Sequence, residues 1–311
     1  MTGYEALRQG AAWADLTGRG VFRVRGPDRV RWLHAMVTNH IAQLASGEGC
    51  YAFLLDAQGR ILADANILCL PDSFLLDLEP ETRERIGAHL DRHIIADDVT
   101  LTDVSQEMAI LAVEGPRSAA VLQSLGIPVP ASAFAHREWG DVLVARLSAT
   151  GLEGYRFFLP RNQRDALAAR LEGAGVPGAG PGALRIVRLE QGRPRYGEDI
   201  TAERLPHETQ LLHAIHFSKG CYIGQEIVER IRARGQVHRL LVRLLIEGGE
   251  PPPAGAAIVT QGKQVGEITS AAWSPAQRAI VALGYVRMAE AGTGELTVEG
   301  RRARILADPP A

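Results

Sequence analysis

Apolar and polar residues alternate over residues 21–25, VFRVR, the period-2 pattern of a half-exposed strand. Gly26 and Pro27 interrupt it, and Asp28 stands where it can cap the helix RVRWLHAMV that follows. Two apolar runs in CYAFLLDAQGRILADANILCL flank Gln58 and Gly59 and predict a hairpin. SFLLDL is a further strand, and PETRERIGAHLDRHI is a helix opened by Pro80. VTLTDVS, MAILAVEG and DVLVARLSATGLEGYRFFLP add strands; QRDALAARLEGAG is a helix that ends in glycine. Strong patterns resume on both sides of EGAGVPGAGPG, which therefore reads as a flexible surface connection rather than a domain linker. RIVRLEQGRPRYGEDI carries the next element.

From Gln236 the texture changes. HRLLVRLLI, AAIVTQGKQVGEIT, RAIVALGYVRM, GELTVEG and RRARILAD are short strands separated by turn signals, with no long helix. They predict a small β-barrel-like domain over 236–311, behind an α+β body over 1–235.

The chain has 311 residues, enough to bury roughly three quarters of its unfolded surface. A net charge of −2 gives no global attraction to nucleic acid, so no DNA partner is expected. The stretch MTGYEALRQGAAWADLTGRG lacks the apolar core of a signal peptide, and no apolar run is long enough to span a membrane. Cys50, Cys69 and Cys221 are an odd count without C-x-x-C spacing. That speaks against a disulfide framework and against a metal site built by this chain alone, and for a reducing, cytoplasmic location. His89 and His93 share a helical face, and His213 and His216 would point to opposite faces of a strand; neither pair has an evident third ligand, and no metal is expected.

The densest chemistry lies in SKGCYIGQEIVERIRARG. Its helix is expected over 224–234, with Gly235 past the end. Gln225 and Glu226 fall in the first turn and Arg230, Arg232 and Arg234 near the last, complementing the helix dipole. Cys221 precedes the helix entrance and has Lys219 two residues away, both of which favour thiolate. The dipole alone would lower a thiol by about 0.2–0.7 pKa unit. Gly220 and Gly224 keep the backbone accessible around Cys221 and Tyr222, whose amides can receive an anion. A buried structural cysteine beside turn glycines is the competing reading.

KGCYIGQE resembles the signature of the YgfZ-type folate-binding proteins, relatives of the glycine-cleavage T-protein implicated in iron–sulfur protein assembly or repair. LLDAQGRILAD, ATGLEGYRFFLP, RLEQGRPRYGEDI and VGEITSAAWSPAQRAIVALGYV are similar to segments of the same superfamily, in the expected order and over nearly the whole chain. The resemblance implies an α+β fold: two interleaved α+β domains around a central folate cavity, and a C-terminal β-barrel-like domain. It implies tetrahydrofolate, mono- or polyglutamylated, as the ligand, with iron–sulfur proteins or assembly factors as partners. Arg188 and Tyr285 match two folate contacts by position. Where the T-protein has a pterin-binding glutamate, this chain has Arg156; near the T-protein's aspartate at the folate's reactive end it has Glu84 or Arg85. The cysteine of KGC stands where the T-protein typically has aspartate. These departures favour a tetrahydrofolate-binding iron–sulfur factor, with Cys221 and Lys219 at its reactive centre facing the folate cavity. A folate-dependent aminomethyltransferase or demethylase is the alternative, and a binding module without chemistry is a third reading. The arginine-rich stretch 230–239 can attract a polyglutamate tail.

Overall fold

Ala12–Asp15 and Gly20–Arg25 are consecutive strands that join different sheets. The first pairs antiparallel with Met108–Glu114. The second lies between Phe74–Leu78 and Thr100–Asp103. The chain thus starts in one five-stranded sheet, builds the other with Gly49–Leu55, Ile61–Cys69, Phe74–Leu78 and Thr100–Asp103, and returns to complete the first with His136–Trp139, Val142–Ala145 and Gly154–Pro160. That is the expected interleaving of two α+β domains. The computed structural model describes residues 1–235, 237–287, 289 and 295–306.

Each sheet carries helices on its outer face. Trp32, Leu33, Ile86 and Leu90 from the helices Arg29–Met36 and Arg83–Arg92 bury against Ile67, Leu76 and their neighbours. Leu167 and Leu171 of Arg164–Gly173 cover Leu111, Tyr155 and Phe157. The inner faces meet through Val21, Leu68 and Leu75 of one sheet and Ile110 and Phe158 of the other.

Strand periodicity then makes a cavity. Leu68, Asn66 and Asp64 alternate onto one face of their strand, as do Leu75 and Asp77, and Phe158 and Arg156. Along each strand the inward face changes from apolar to polar, so the two sheets separate around buried charged groups instead of closing on a hydrocarbon core.

The third unit is a closed six-stranded barrel, ordered Arg239–Ile246, Ala279–Arg287, Lys263–Ser274, Ala257–Thr260, Leu296–Val298 and Arg301–Leu306. The first strand also pairs with the last, which leaves no open edge. The boundary expected at Gln236 falls outside the described residues.

Local expectations fail in three places. Asp28 does not cap its helix; its carboxylate accepts the Asp98 amide at 2.9 Å. The glycine-rich 172–182 connection is strapped to the first strand, because the Trp13 amide donates to Pro177 and Trp13 accepts from Ala179. LLHAIHF is no strand: Leu212–Ala214 is a 3-10 turn, so the opposite-face reading of His213 and His216 does not apply. No helix among the described residues is long and apolar enough to cross a membrane.

Candidate functional site

The separated sheet ends enclose a cavity of about 460 Å³, lined on one side by Asp64, Asn66, Asp77, Glu79 and Arg156, and on the other by residues of the helix Pro181–Glu190 and the segment after it. Asp77 is fully buried and receives three donors: Arg19 Nε at 2.5 Å, Asn66 Nδ2 at 2.9 Å, and the Arg156 guanidinium. Burial pushes its carboxyl up, but the charges of Arg156 and Arg19 outweigh that and hold it below the usual range. Glu79 is held down in the same way, with burial outweighed by Arg19 and Arg195.

Asp64 is treated differently. It too is buried, but no arginine forms an ion pair with it among the described residues; its hydrogen-bond donor is the Tyr51 hydroxyl, at 2.6 Å. Burial and the nearby Glu79 charge push its carboxyl up to about 6. Two aspartates in one cavity wall therefore differ in protonation, the separation by which active sites divide acid and base roles.

Two polar atoms on the same wall have no partner: Asn66 Oδ1, an acceptor, and Arg156 Nε, a donor. Buried polar atoms left unpaired cost stability, so this wall is complementary to a ligand edge that both donates and accepts. Arg193 also lines the cavity, and its guanidinium makes no hydrogen bond or ion pair among the described residues. The floor is shaped by Glu114, which accepts from the Ala149 amide and the Thr150 hydroxyl at 2.7 Å and from Ser148 at 2.9 Å. It holds Ser148 and Ala149 against the cavity.

The sequence-predicted residues divide. Arg156 lies on the cavity wall as part of the Asp77 cluster. Arg188 lines the cavity, but its guanidinium donates to Asp199 at 2.6 Å and to Glu198 at 2.8 Å. Tyr285 does not line the cavity. It is fully buried in the barrel wall, donates its hydroxyl to the Asp199 carbonyl at 3.0 Å, and lies under the Arg204 guanidinium at 3.9 Å. Asp199 also accepts from Thr269 and Ser270 of the barrel at 2.6 and 2.5 Å, so it joins barrel to body. Glu84 and Arg85 are exposed and outside the lining; Arg85 donates to Tyr196 at 2.6 Å.

The cysteine motif forms a separate structure. Its helix runs Gln225–Arg234, entered through Gly224 at φ +82° and left through Gly235, close to expectation. A Cβ on Gly224 would sit 2.6 Å from the Asp56 carbonyl oxygen, so only glycine lets the helix entrance rest on the hairpin turn. Lys219 is buried, with its Nζ 4.7 Å above the Tyr222 ring. It donates to the His34 and Val37 carbonyls, the unpaired end of Arg29–Met36. Its ammonium thus closes a helix end instead of lining the cavity, and burial lowers it to about 8. His34 Nδ1 accepts from the Ile41 amide at 3.2 Å, so its Nε2 carries the proton donated to the Lys219 carbonyl at 2.9 Å. Glu226 pairs with Arg230 at 3.2 Å on the exposed helix face. Gln225 donates its backbone N–H to the Tyr222 carbonyl at 3.2 Å, and Gly220 takes φ +95°. Cys221 is exposed and is not part of the cavity lining, contrary to the expectation that it faces the cavity.

Asp64, Asn66, Asp77, Glu79, Arg19 and Arg193 were missed by the sequence reading. For Asp64, Asn66 and Asp77 the signal was polar residues at inward positions inside the apolar runs ILADANIL and FLLDL; Arg19, Glu79 and Arg193 had none.

Residues 2–219 match the GCVT N-terminal domain and residues 239–309 the glycine cleavage T-protein C-terminal barrel domain. An aminomethyltransferase of Rubrobacter xylanophilus is 31% identical over 306 residues, covering 96% of this chain and 82% of its own. One of Herpetosiphon aurantiacus is 31% identical over 280 residues, covering 88% and 77%. The crystal structure of glycine cleavage system aminomethyltransferase T from Bartonella henselae superposes with a TM-score of 0.90 at 26% identity, covering 98% of this chain and 87% of that one.

Proposed function

The chain belongs to the glycine-cleavage T-protein family, and from that premise we propose that its cavity binds tetrahydrofolate and serves folate-dependent aminomethyl-group transfer, with Asp64 as the proton-handling carboxylate. The observation that carries this is the state of Asp64: buried in the cavity wall, without an arginine ion pair among the described residues, and pushed by burial up to about 6. A group of that proton affinity accepts and returns protons efficiently near neutrality.

The lining fits the ligand. A pterin edge presents N–H donors and ring acceptors, matching the orphaned Asn66 Oδ1 and Arg156 Nε. The Arg156–Asp77 pair keeps a carboxylate on the wall where the resemblance implies a glutamate in relatives. Arg193 offers an unpaired guanidinium to the carboxylate of the glutamyl end, and the cavity volume lies in the range of small-ligand sites. Bound tetrahydrofolate would supply a nucleophilic amine for the carbon unit. Asp64, held in place by Tyr51, would take the proton that this amine sheds as the N–C bond forms and return it to the group that leaves the carbon unit as its old bond breaks.

A second reading, the iron–sulfur support factor of the YgfZ type, is favoured by the exposure of Cys221 on a rigidly docked motif. Such a thiol is open to partner proteins, whichever ligand the cavity holds. Calorimetry with mono- and polyglutamyl tetrahydrofolate tests the folate premise; no heat from either would remove the first reading and the folate part of the second. Turnover with an aminomethylated lipoyl carrier, lost in Asp64→Asn, separates the first reading from the second.

A further inference from the structure

A second cavity, of about 210 Å³, lies between the turn Pro206–Thr209, the C-terminal half of the motif helix and residues 237–238. It shares no lining residue with the central cavity. Its polar lining is dominated by nitrogen: the guanidiniums of Arg230 and Arg234 and the imidazoles of His207 and His238. Leu205, Ile231 and Val237 supply the apolar wall. Glu208 is the acidic member, and its carboxylate already accepts the Leu205 amide at 2.9 Å.

His207 points to a ligand. It is 9% exposed, and neither of its ring nitrogens has a hydrogen-bond partner. Phe217 lies beside its ring at 6.1 Å and offers nothing to bond. Arg234 makes no hydrogen bond or ion pair among the described residues, and neither does the His238 ring. Arg230 is held only by the exposed Glu226 pair. A buried imidazole without a partner costs stability, and with the exposed guanidiniums beside it the set suits an anion that can bond to the ring.

We infer that this cavity is a binding site for a compact phosphate monoester, independent of the central cavity. Donor number favours phosphate over a single carboxylate: two guanidiniums and two imidazoles match three terminal oxygens and an ester oxygen, whereas a carboxylate has two oxygens. The volume is below that of typical drug-sized sites, so the organic part is a few carbons, packed on Leu205, Ile231 and Val237.

The test is calorimetric titration of the full chain with inorganic phosphate, glycerol phosphate and tri-γ-glutamate. Glycerol phosphate is expected to bind with a dissociation constant at or below about 1 mM, and inorganic phosphate more weakly. Arg234→Gln, a surface change that leaves the fold intact, and His207→Phe, which keeps the ring packed on Phe217, are each expected to weaken binding at least about tenfold, as loss of one charge-assisted bond does. Absence of phosphate binding, binding that survives either substitution, or tighter binding of tri-γ-glutamate than of glycerol phosphate would overturn the assignment. The last outcome would make the pocket a polycarboxylate site instead.

Discussion

Tyr51 donates its hydroxyl to Asp64 at 2.6 Å, while one strand away Asp77 is neutralised by Arg19 and Arg156. The pair of aspartates is a graded device. One remains an anion; the other changes charge near pH 6.

The Asp64 carboxyl is raised above its unfolded value, so its stabilising contribution is complete below about pH 4 and is lost as pH rises through about 6. Above that, the folded chain carries an unneutralised buried charge. Asp64→Asn keeps an acceptor for Tyr51 and removes the charge. It should match the wild type near pH 4 and exceed it by up to about 3 kcal/mol at pH 8. Urea unfolding of both proteins across this range measures the gap. A gap that does not change with pH would show that Asp64 titrates normally. The same variant should lose about 10²-fold or more in folate-dependent turnover.

Arg156 holds the opposite balance. Arg156→Met leaves buried Asp77 with Arg19 and Asn66 and should destabilise by about 3 kcal/mol, the scale for breaking a buried pair. Adding Asp77→Asn should recover much of the loss, because an amide needs no counter-charge. Denaturation of the two single variants and the double variant closes the cycle. Additive losses would mean that the pair is not coupled.

Tyr285 and Asp199 test where ligand contacts end. Tyr285→Phe removes one buried hydrogen bond, to the Asp199 carbonyl, and should cost about 1 kcal/mol. Since Tyr285 lies outside the cavity lining, tetrahydrofolate affinity should be unchanged in calorimetry. A large loss of affinity with intact stability would restore Tyr285 as a folate contact. Asp199→Ala, by contrast, removes the carboxylate shared by Arg188, Thr269 and Ser270 at the body–barrel joint and should be severely destabilising, by about 3–5 kcal/mol.

The interleaved fold was legible through the family resemblance and the barrel through its short strands, whereas residue patterns otherwise spoke locally. The hairpin turn at residues 56–60 and the helix Gln225–Arg234 lie close to expectation, because glycine conformation and apolar period act over a few residues. The cavity was not legible as geometry, since it is assembled from inward faces of two sheets whose strands lie far apart in sequence. Its trace was present: Asp64, Asn66 and Asp77 interrupt apolar runs, and burying such groups is costly without a partner or a use. Cys221 shows the reverse error. Neighbouring residues at 219 and 224 described its helix entrance correctly but carried no information on which side of the body that entrance faces.

Cys221 gives the last prediction. It is exposed, whereas Cys50 is buried with its thiol pushed by burial up to about 12, and Cys69 is part-buried with its thiol raised by the same cause. Thiolate supply and access therefore both disfavour Cys50 and Cys69. Iodoacetamide on the native protein at pH 7.5 should modify Cys221 at least about tenfold faster than either, with sites read by mass spectrometry. Equal rates would show that the motif shields its sulfur. Cys221→Ser changes one exposed atom and should leave the melting temperature within a few degrees and folate binding unaltered. If the chain supports iron–sulfur proteins through this thiol, the variant should fail to restore iron–sulfur enzyme activity in cells lacking the protein. Full restoration would remove Cys221 from the mechanism and leave the cavity, with Asp64, as the working site.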